Sequence, residues 1–177
     1  ISAQANGRSS GCSFAGCATH DPIRCVHGPQ IFGSGALGGA QSELLAVPGA
    51  DFQLLRMPEG ISTEQALLLT DNLATGWAAA KRADIPLGGS VAVIGLGAVG
   101  MCALRSALTL GAATVSAVDP VQTRRDRAQA AGTVPVSPPA AQTIREATGG
   151  LGVDSVIDAV GTDVSINDAL DAVRTGG

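Results

Sequence analysis

The chain has 177 residues, of which 45% are hydrophobic, and a formal net charge of −4. This length and apolar content suffice for one domain with part of another, and they argue against disorder. The acidic balance and the lack of basic clusters argue against nucleic acid or an anionic membrane as a partner. No apolar run approaches the roughly 20 residues of a membrane span and no signal peptide is visible at the start, so we expect a cytoplasmic protein.

The N-terminal stretch is rich in glycine, serine and cysteine, and it shows neither helical nor strand periodicity. Cys12, Cys17 and Cys25 fall within fourteen positions, with His20 and His27 nearby. A dense group of Cys and His in a chain without a secretory signal favours metal binding over disulfide bonding.

The next segment is predicted to form short strands and turns, with its best strand at 43–48. A helix then begins after Ser62, because Ser62 and Gln65 fit a capping box. Polar residues at 70–76 interrupt the apolar stretch that follows, and a second helix is predicted from about 77 to 83.

A strand followed by closely spaced glycines dominates the middle of the chain. Residues 91–94 are apolar and mostly β-branched, which predicts a buried strand, and Gly95, Gly97 and Gly100 then fit G-x-G-x-x-G. Gly95 permits a tight turn, Gly97 lets a pyrophosphate approach the backbone, and Gly100 lets the next helix pack closely on the sheet. The helix N-terminus offers N–H groups to the phosphates. The candidate pyrophosphate site is the whole turn: Gly95, Leu96, Gly97, Ala98, Val99 and Gly100.

The residues that follow the glycine turn support this interpretation. The next strand, 114–118, ends at Asp119, which lies 19 residues after Gly100. This is near the distance expected for the acid that binds the adenosine ribose. The alternative is a glycine-rich turn in another α/β domain, because a lone G-x-G-x-x-G is weak in a chain with 24 glycines. The dinucleotide site is preferred since strand, glycines, helix, strand and acid all fall in register.

Strands and helices alternate through the rest of the chain. The helix after the glycines is predicted to stop at Gly111, and later helices are predicted to stop at Gly132 and at 149–150. Strands are predicted at 133–136, where a proline indicates an edge position, and at 155–160.

A last helix is predicted to carry three apolar residues on one face: Ile166, Leu170 and Val173. The alternation of strands and helices predicts an α/β fold with a doubly wound parallel sheet of the Rossmann type. The sheet is partial, because four strands are predicted where a full dinucleotide fold has six.

Several segments along the chain together match the pattern of one enzyme family. They are, in order, 38–43, 47–48, 57–62, 65–69, 75–77, the strand and glycine turn at 91–100, and 149–154 continuing through 161. This pattern resembles the medium-chain dehydrogenase/reductase superfamily, of the zinc-dependent alcohol dehydrogenase type. The resemblance implies a partial GroES-like catalytic domain at 1–72 and a partial Rossmann NAD-binding domain at 73–177. It also implies an internal fragment, since the family's first catalytic Cys and His ligands lie upstream and its last strands lie downstream.

The resemblance also assigns candidate site residues. Asp71 matches the family's third catalytic zinc ligand, and a carboxylate is an adequate zinc ligand; the alternative is a helix-terminal Asp that makes a local capping bond. Thr75 matches a residue lining the nicotinamide, or is a plain turn threonine. Arg124 matches a basic position near the adenosine, or lies on a solvated helix face. Val160 and Gly161 are expected near the cofactor without a specific bond.

For the cysteines, the resemblance implies a degenerate structural zinc lobe near 11–28. The family's site has four cysteines, and Cys17 and Cys25 keep the last interval between them. The two earlier positions carry residues that cannot bind zinc, and Cys12 is displaced by one place. We expect no tightly bound structural zinc, although three cysteines completed by a histidine are a chemically possible site.

The function that the resemblance implies is that of a fragment of an NAD-dependent zinc alcohol dehydrogenase. The chain has no tyrosine, which excludes the short-chain dehydrogenases. In the implied reaction, zinc polarises the oxygen of a small-molecule alcohol or aldehyde while a hydride passes between substrate carbon and NAD. NAD is expected over NADP because Asp119 would repel a 2′-phosphate, with Arg124 and Arg125 a turn beyond it. The intact protein is expected to be a homo-oligomer.

Two alternatives stay open. One is a zinc-free quinone or enone reductase of the same superfamily, against which Asp71 and the cysteines argue. The other is a non-catalytic nucleotide-binding fragment, because Asp71 is one ligand where a catalytic zinc requires three protein ligands. For the same reason, this chain alone is expected to be inactive.

Overall fold

The computed structural model describes residues 4–6, 29–33, 37–47, 50 and 54–177. The chain forms two compact units, Ile1–Thr70 and Asp71–Gly177. The cysteine lobe predicted near 11–28, with Cys17 and Cys25, lies outside the described residues. Within the described ranges, every helix is too short or too polar to span a lipid bilayer.

The described part of the first unit contains a two-stranded antiparallel sheet and one helix. Strand β1 (Gln4–Asn6) pairs with β2 (Pro29–Ile31), and α1 spans Thr63–Leu68. At the start of α1 the Ser62 hydroxyl accepts a hydrogen bond from the Gln65 N–H at 3.2 Å, and the Gln65 side-chain oxygen accepts one from the Ser62 N–H at 2.9 Å. These reciprocal bonds satisfy two backbone donors that the helix itself cannot, which confirms the predicted capping box.

The strand predicted at 43–48 is wrong for residues 43–47, which form bends and irregular backbone. The Ser42 hydroxyl donates to the Leu44 carbonyl oxygen at 2.7 Å, and Leu44 is 92% exposed. A short bond from a side chain to nearby backbone competes with strand pairing, and an exposed leucine gains no burial that would favour the strand.

The polar run predicted to interrupt the helices is itself helical. A π-helical turn spans Leu69–Leu73 and α2 spans Ala74–Arg82, so the second helix begins three residues before the predicted residue 77. Within this segment the Thr75 hydroxyl donates to Asp71 Oδ1 at 2.9 Å. Because Asp71 and Thr75 bond to each other along the helix, these two side chains do not compete for its backbone groups. The interruption takes the form of a change in helix type.

The second unit is built on a parallel four-stranded sheet with the order β5–β4–β3–β6. Its strands are β3 (Ser90–Ile94), β4 (Thr114–Val118), β5 (Val134–Val136) and β6 (Ser155–Asp158). Its further helices are α3 (Ala98–Thr109), α4 (Gln122–Gln129), α5 (Ala141–Ala147) and α6 (Asp163–Ala172). The proline-containing β5 lies at an edge, as predicted.

Both faces of this sheet are covered. Val91 and Val93 of β3 belong to a buried cluster with Leu104 on one face, and Ala92 belongs to a second cluster with Ile144 on the other. Burial on both faces explains why β3 is continuously apolar rather than alternating. The predicted doubly wound parallel arrangement is confirmed.

Gly76 lets α2 lie close against α3. A Cβ atom at Gly76 would lie 2.5 Å from the Ala103 nitrogen and 2.7 Å from Cys102 Cβ. Real Cβ atoms do not approach so closely, so only glycine fits at this crossing.

Burial raises the pKa of the Cys102 thiol, although Arg105 acts in the opposite direction. Cys102 is therefore a packing residue rather than a reactive one.

The apolar face of α6 borders a cleft rather than the core. Ile166 is 45% exposed and Leu170 is 64% exposed, and both line a cleft of about 350 Å³ beside β6 together with Val173. Helix α6 packs on the sheet through Ala169 and Ala172 instead. Strand β6 is at the edge of the sheet formed by the described residues. No further described strand therefore lies beside β6 to cover Ile166 and Leu170.

Asp154 ties the start of β3 to the segment after α6. Its Oδ2 atom accepts hydrogen bonds from the Ser90 N–H at 2.7 Å and the Ser90 hydroxyl at 2.8 Å, and its Oδ1 atom accepts one from Arg174 Nε at 2.9 Å. The bonds from Ser90, with that from Arg174, lower the pKa of Asp154 from 3.8 to about 2. The ionised carboxylate therefore stabilises the folded state.

We expect Asp154→Asn to lower the free energy of unfolding by about 2 kcal/mol near neutral pH. Because the pKa is lower in the folded state, this stabilisation is complete above the unfolded value of 3.8 and is lost as the pH falls toward about 2. Urea unfolding at pH 7 and at about pH 2.5 measures the difference between the two proteins, which should shrink at the lower pH. The exposed Asp171 provides the control, and Asp171→Asn should change little. An Asp154→Asn effect of equal size at both pH values would contradict the prediction.

Candidate functional site

The glycine turn lies at the carboxyl end of β3, and its three glycines have different surroundings. Gly95 has a φ of +88°, and a Cβ there would lie 2.5 Å from Val160 Cγ2. A Cβ at Gly100 would collide with the carbonyl oxygen of Gly95. A Cβ at Gly97, in contrast, would meet no atom of the described residues within 4 Å. The fold itself requires glycine at the first and third positions, and leaves an open approach to the second.

Next to Gly97, the N-terminus of α3 has backbone donors without a partner among the described residues. Gly97 is the N-cap residue, with φ −70° and ψ −168°, and no side chain caps the helix. The Met101 N–H donates to the Gly97 carbonyl oxygen at 2.9 Å, so the N–H groups of Ala98, Val99 and Gly100 have no intrahelical partner. These donors and the positive end of the helix dipole are suited to an anionic group such as phosphate.

Asp119 follows β4, and its carboxylate joins that strand to the glycine turn. The residue is 2% exposed. Its Oδ2 atom accepts from the Leu96 N–H at 2.8 Å, and Oδ1 accepts from the Val121 N–H at 2.8 Å. Burial opposes ionisation, but these two backbone bonds and Arg124 outweigh it and hold the pKa of Asp119 below its usual value. Asp119 is thus an ionised acid at the carboxyl edge of the sheet.

Arg124 lies closer to Asp119 than its position in the sequence suggested. Its Nη1 atom is 3.3 Å from Asp119 Oδ2, while the side chain stays 48% exposed. Arg125 Nη1 donates to the Asp119 carbonyl oxygen at 2.5 Å. The expectation that both arginines stay a turn beyond the acid is wrong, because the long side chains reach back along α4. Any group that approaches the Asp119 carboxylate therefore also approaches a guanidinium.

The turn after β6, which contains Val160 and Gly161, contacts the glycine turn. The Ala159 N–H donates to the Ile94 carbonyl oxygen at 2.8 Å, and Val160 is 52% exposed beside Gly95. In this strand order, β4 and β6 lie on opposite sides of β3, and the crevice at their carboxyl ends is where parallel α/β sheets bind ligands. The structure brings three predicted features to this edge: the glycine turn, the acid after β4 and the turn after β6.

Asp71 and Thr75 are exposed side chains in contact with each other. Asp71 belongs to the π-helical turn Leu69–Leu73, a kind of turn that is frequent at functional sites. Among the described residues, no group of three Cys, His, Asp or Glu side chains could hold a metal ion. The described residues thus do not form a zinc site; they offer one candidate ligand, Asp71.

One residue at this edge was missed in the sequence. Asp158 ends β6, two residues before the predicted end of that strand, because its Oδ1 atom accepts from the Val160 N–H at 2.9 Å and starts a turn. An Asp that is followed three residues later by a glycine is the signal that could have indicated this turn. Gly161 has a φ of +75°, which agrees with such a turn.

Comparison with known proteins places the chain in a family. Residues 98–177 match the family described as zinc-binding dehydrogenase. A probable zinc-binding alcohol dehydrogenase of Mycobacterium tuberculosis is 68% identical over 169 residues, which is 95% of this chain and 44% of that protein. The chain belongs to the medium-chain dehydrogenase/reductase superfamily. A medium-chain reductase/dehydrogenase of an Acremonium species is 37% identical, with 91% of this chain and 59% of that protein covered.

Solved structures agree with this membership of the superfamily. An alcohol dehydrogenase from a Thermus species matches with a TM-score of 0.84 and 33% identity, over 93% of this chain and 49% of its own. A zinc-dependent alcohol dehydrogenase from Streptococcus matches with a TM-score of 0.81 and 29% identity, over 92% and 47%. The chain spans about half the length of the relatives it matches. The predicted fold class is confirmed: a partial Rossmann-type α/β sheet preceded by part of a GroES-like domain.

Proposed function

We propose that this chain carries the NAD-binding part of a zinc-type alcohol dehydrogenase, which transfers a hydride between NAD and a small-molecule alcohol or aldehyde. Gly97 carries the proposal. Its backbone angles suit any residue and nothing among the described residues limits a side chain there, yet it adjoins the free N–H groups of α3. The fold gives no reason for glycine at this position, whereas close approach of a pyrophosphate does. Relatives named as alcohol dehydrogenases support the substrate class.

Each part of the site has a binding role in this proposal. The N–H groups at the start of α3 donate to the pyrophosphate, and Asp119 accepts from the adenosine ribose hydroxyls. Thr75, Val160 and Gly161 line the nicotinamide half. When bound, the nicotinamide supplies the hydride acceptor or donor, and the chain's residues hold and orient it. The division into a catalytic domain at 1–72 and a cofactor domain at 73–177, and the homo-oligomeric state of the longer protein, belong to the same proposal.

Titration of the 177-residue chain with NADH tests the proposal directly. NADH fluorescence should show saturable binding to one site, because the glycine turn, α3 and Asp119 all belong to this chain. Binding should be competed by ADP, which shares the adenosine and pyrophosphate groups. The absence of saturable binding by a folded chain would overturn the proposal.

Cofactor choice provides the first prediction from this site. We expect NAD to bind at least about tenfold more tightly than NADP, because the buried Asp119 carboxylate repels a 2′-phosphate. Asp119→Ser should reduce this ratio to about one or below, since Arg124 would then face the phosphate alone. Two relatives, 32% and 34% identical to this chain, are named as NADP-dependent isopropanol dehydrogenases, so NADP is the competing cofactor that the titration must include.

The control for this prediction is Asp126→Ser, which removes the same charge from an exposed position on α4 and should leave the ratio of the two dissociation constants unchanged. Asp119 also accepts a hydrogen bond from the Leu96 N–H, so its removal could weaken the binding of both cofactors. The ratio of the two dissociation constants corrects for such a shared loss. NADP binding as tight as NAD binding in the parent chain would show that Asp119 does not select the cofactor.

We propose that Asp71 binds the catalytic zinc in the longer protein, but a catalytic zinc needs three protein ligands, and the described residues do not bring three together. We therefore expect no alcohol-dependent NADH formation by the 177-residue chain, with or without added zinc. Zinc-dependent turnover by this chain would contradict this expectation. The non-catalytic nucleotide-binding alternative fits the chain on its own for the same reason.

A further inference from the structure

The strand order decides which half of a dinucleotide meets which turn. Strand β4 with Asp119 lies on one side of β3, and β6 lies on the other. If the adenosine ribose binds at Asp119 and the pyrophosphate at the glycine turn, the second nucleotide half extends toward the turn after β6. This turn comprises residues 159–162 and is called the β6 turn below. Its shape therefore matters for one half of the ligand only.

The β6 turn is shaped by the Asp158 carboxylate. Oδ1 accepts from the Val160 N–H at 2.9 Å and from the Gly161 N–H at 3.3 Å, and Oδ2 accepts from the Ser165 hydroxyl at 2.9 Å. Ser165 is buried and also forms a capping box with Thr162 at the start of α6. One carboxylate thus binds the backbone of the turn on one side and the helix cap on the other.

The β6 turn is held directly against the pyrophosphate site. The Ala159 N–H donates to the carbonyl oxygen of Ile94, the last residue of β3. Val160 Cγ2 lies 2.5 Å from the place where a Cβ of Gly95 would stand. Half of the Val160 side chain remains exposed at the edge of the crevice. A change in the turn would therefore move a wall of the crevice, whereas Asp119 lies on the other side of β3.

We propose that Asp158 is a positioning residue for the nicotinamide half of the bound dinucleotide. It does not touch the ligand; its bonds to Val160 and Gly161 hold the β6 turn in the one shape that lines the crevice. This inference rests on the proposed function, because it requires a dinucleotide in the crevice. It adds a residue that neither the glycine pattern nor the family resemblance assigned.

Comparison of two ligands tests this proposal. In the 177-residue chain, Asp158→Ala should raise the dissociation constant of NADH by about tenfold, because binding must then also order the turn. The dissociation constant of ADP, which lacks the nicotinamide half, should stay within about twofold. Isothermal titration of both ligands measures the two effects. ADP binding also reports that the adenosine side of the site is folded.

Two further variants separate positioning from general stability. Asp158→Asn keeps one oxygen that can accept from the turn and an amide that can donate to Ser165, so it should recover most of the NADH affinity. Asp163→Ala removes a neighbouring exposed acid on α6 and should leave both ligands unaffected. If Asp158→Ala weakens ADP and NADH equally, the residue is structural and the proposal is wrong. It is also wrong if NADH affinity does not change. If the parent chain binds neither ligand, the proposed function is wrong, and the inference about Asp158 is wrong with it.

Discussion

Gly97→Asp is expected to reduce NADH binding by at least about 100-fold while leaving the fold intact. The open space at Gly97 means that the new side chain meets no described neighbour. Aspartate is a favourable N-cap residue, and the backbone at Gly97 already has the extended N-cap conformation, so α3 should be as stable as before or more so. The carboxylate would take the free N–H groups and would repel the pyrophosphate. NADH titration and thermal unfolding of the same samples check both parts.

Gly97→Asn is the matched control, because asparagine has the same shape and caps helices equally well without the charge. It should lose less affinity than Gly97→Asp, and the difference measures the repulsion between the new carboxylate and the pyrophosphate. If Gly97→Asp binds NADH nearly as well as the parent chain, the pyrophosphate does not lie at the start of α3. The proposed site would then be wrong as a whole.

Gly100→Ala is expected to have the largest effect on stability. Glycine to alanine inside a helix normally stabilises it by roughly 1 kcal/mol, because alanine loses less backbone entropy. Here the added methyl group would collide with the Gly95 carbonyl oxygen and lie 3.5 Å from Ala159 Cβ. Relief requires α3 to move away from β3, so we expect a loss of at least about 3 kcal/mol in the free energy of unfolding. Urea unfolding measures it.

Gly97→Ala is the control for this experiment. It adds the same methyl group three positions earlier in the chain, where no described atom lies within 4 Å, and should change the free energy of unfolding by less than about 1 kcal/mol. Gly100→Ala should thus lose stability, whereas Gly97→Ala should keep its stability and lose affinity for NADH. Equal stability of Gly100→Ala and the parent chain would show that α3 does not pack on the glycine turn as described.

Local features of the fold could be predicted because they depend on neighbouring residues. The capping box of Ser62 and Gln65 forms as predicted, and α3 ends before Gly111, whose φ is +101°. Glycine at such a position satisfies the end of a helix whatever the rest of the chain does. The buried strands were predicted equally well, since an unbroken apolar run such as that of β3 is stable only between two covered faces.

The candidate site could be predicted only in part. The glycine turn and Asp119 follow from their spacing, and the structure brings them together through the bond from the Leu96 N–H to the Asp119 carboxylate. The pairing of Asp119 with Arg124 and the turn held by Asp158 were missed. Spacing gives the strand or helix on which a residue lies. It does not give the direction in which a long side chain extends, nor the backbone group that a carboxylate finds.

In the second unit, the sequence by itself determined the order of strands and helices from β3 onward, the glycine turn and the acid that follows β4, because short-range backbone preferences and apolar burial decide them. The tertiary structure decided which positions are close in space. It put the β6 turn against Gly95, turned Ile166 and Leu170 toward a cleft, and left Gly97 open while closing the space at Gly100. These outcomes depend on contacts between residues far apart in the chain, and such contacts exist only once the sheet is assembled.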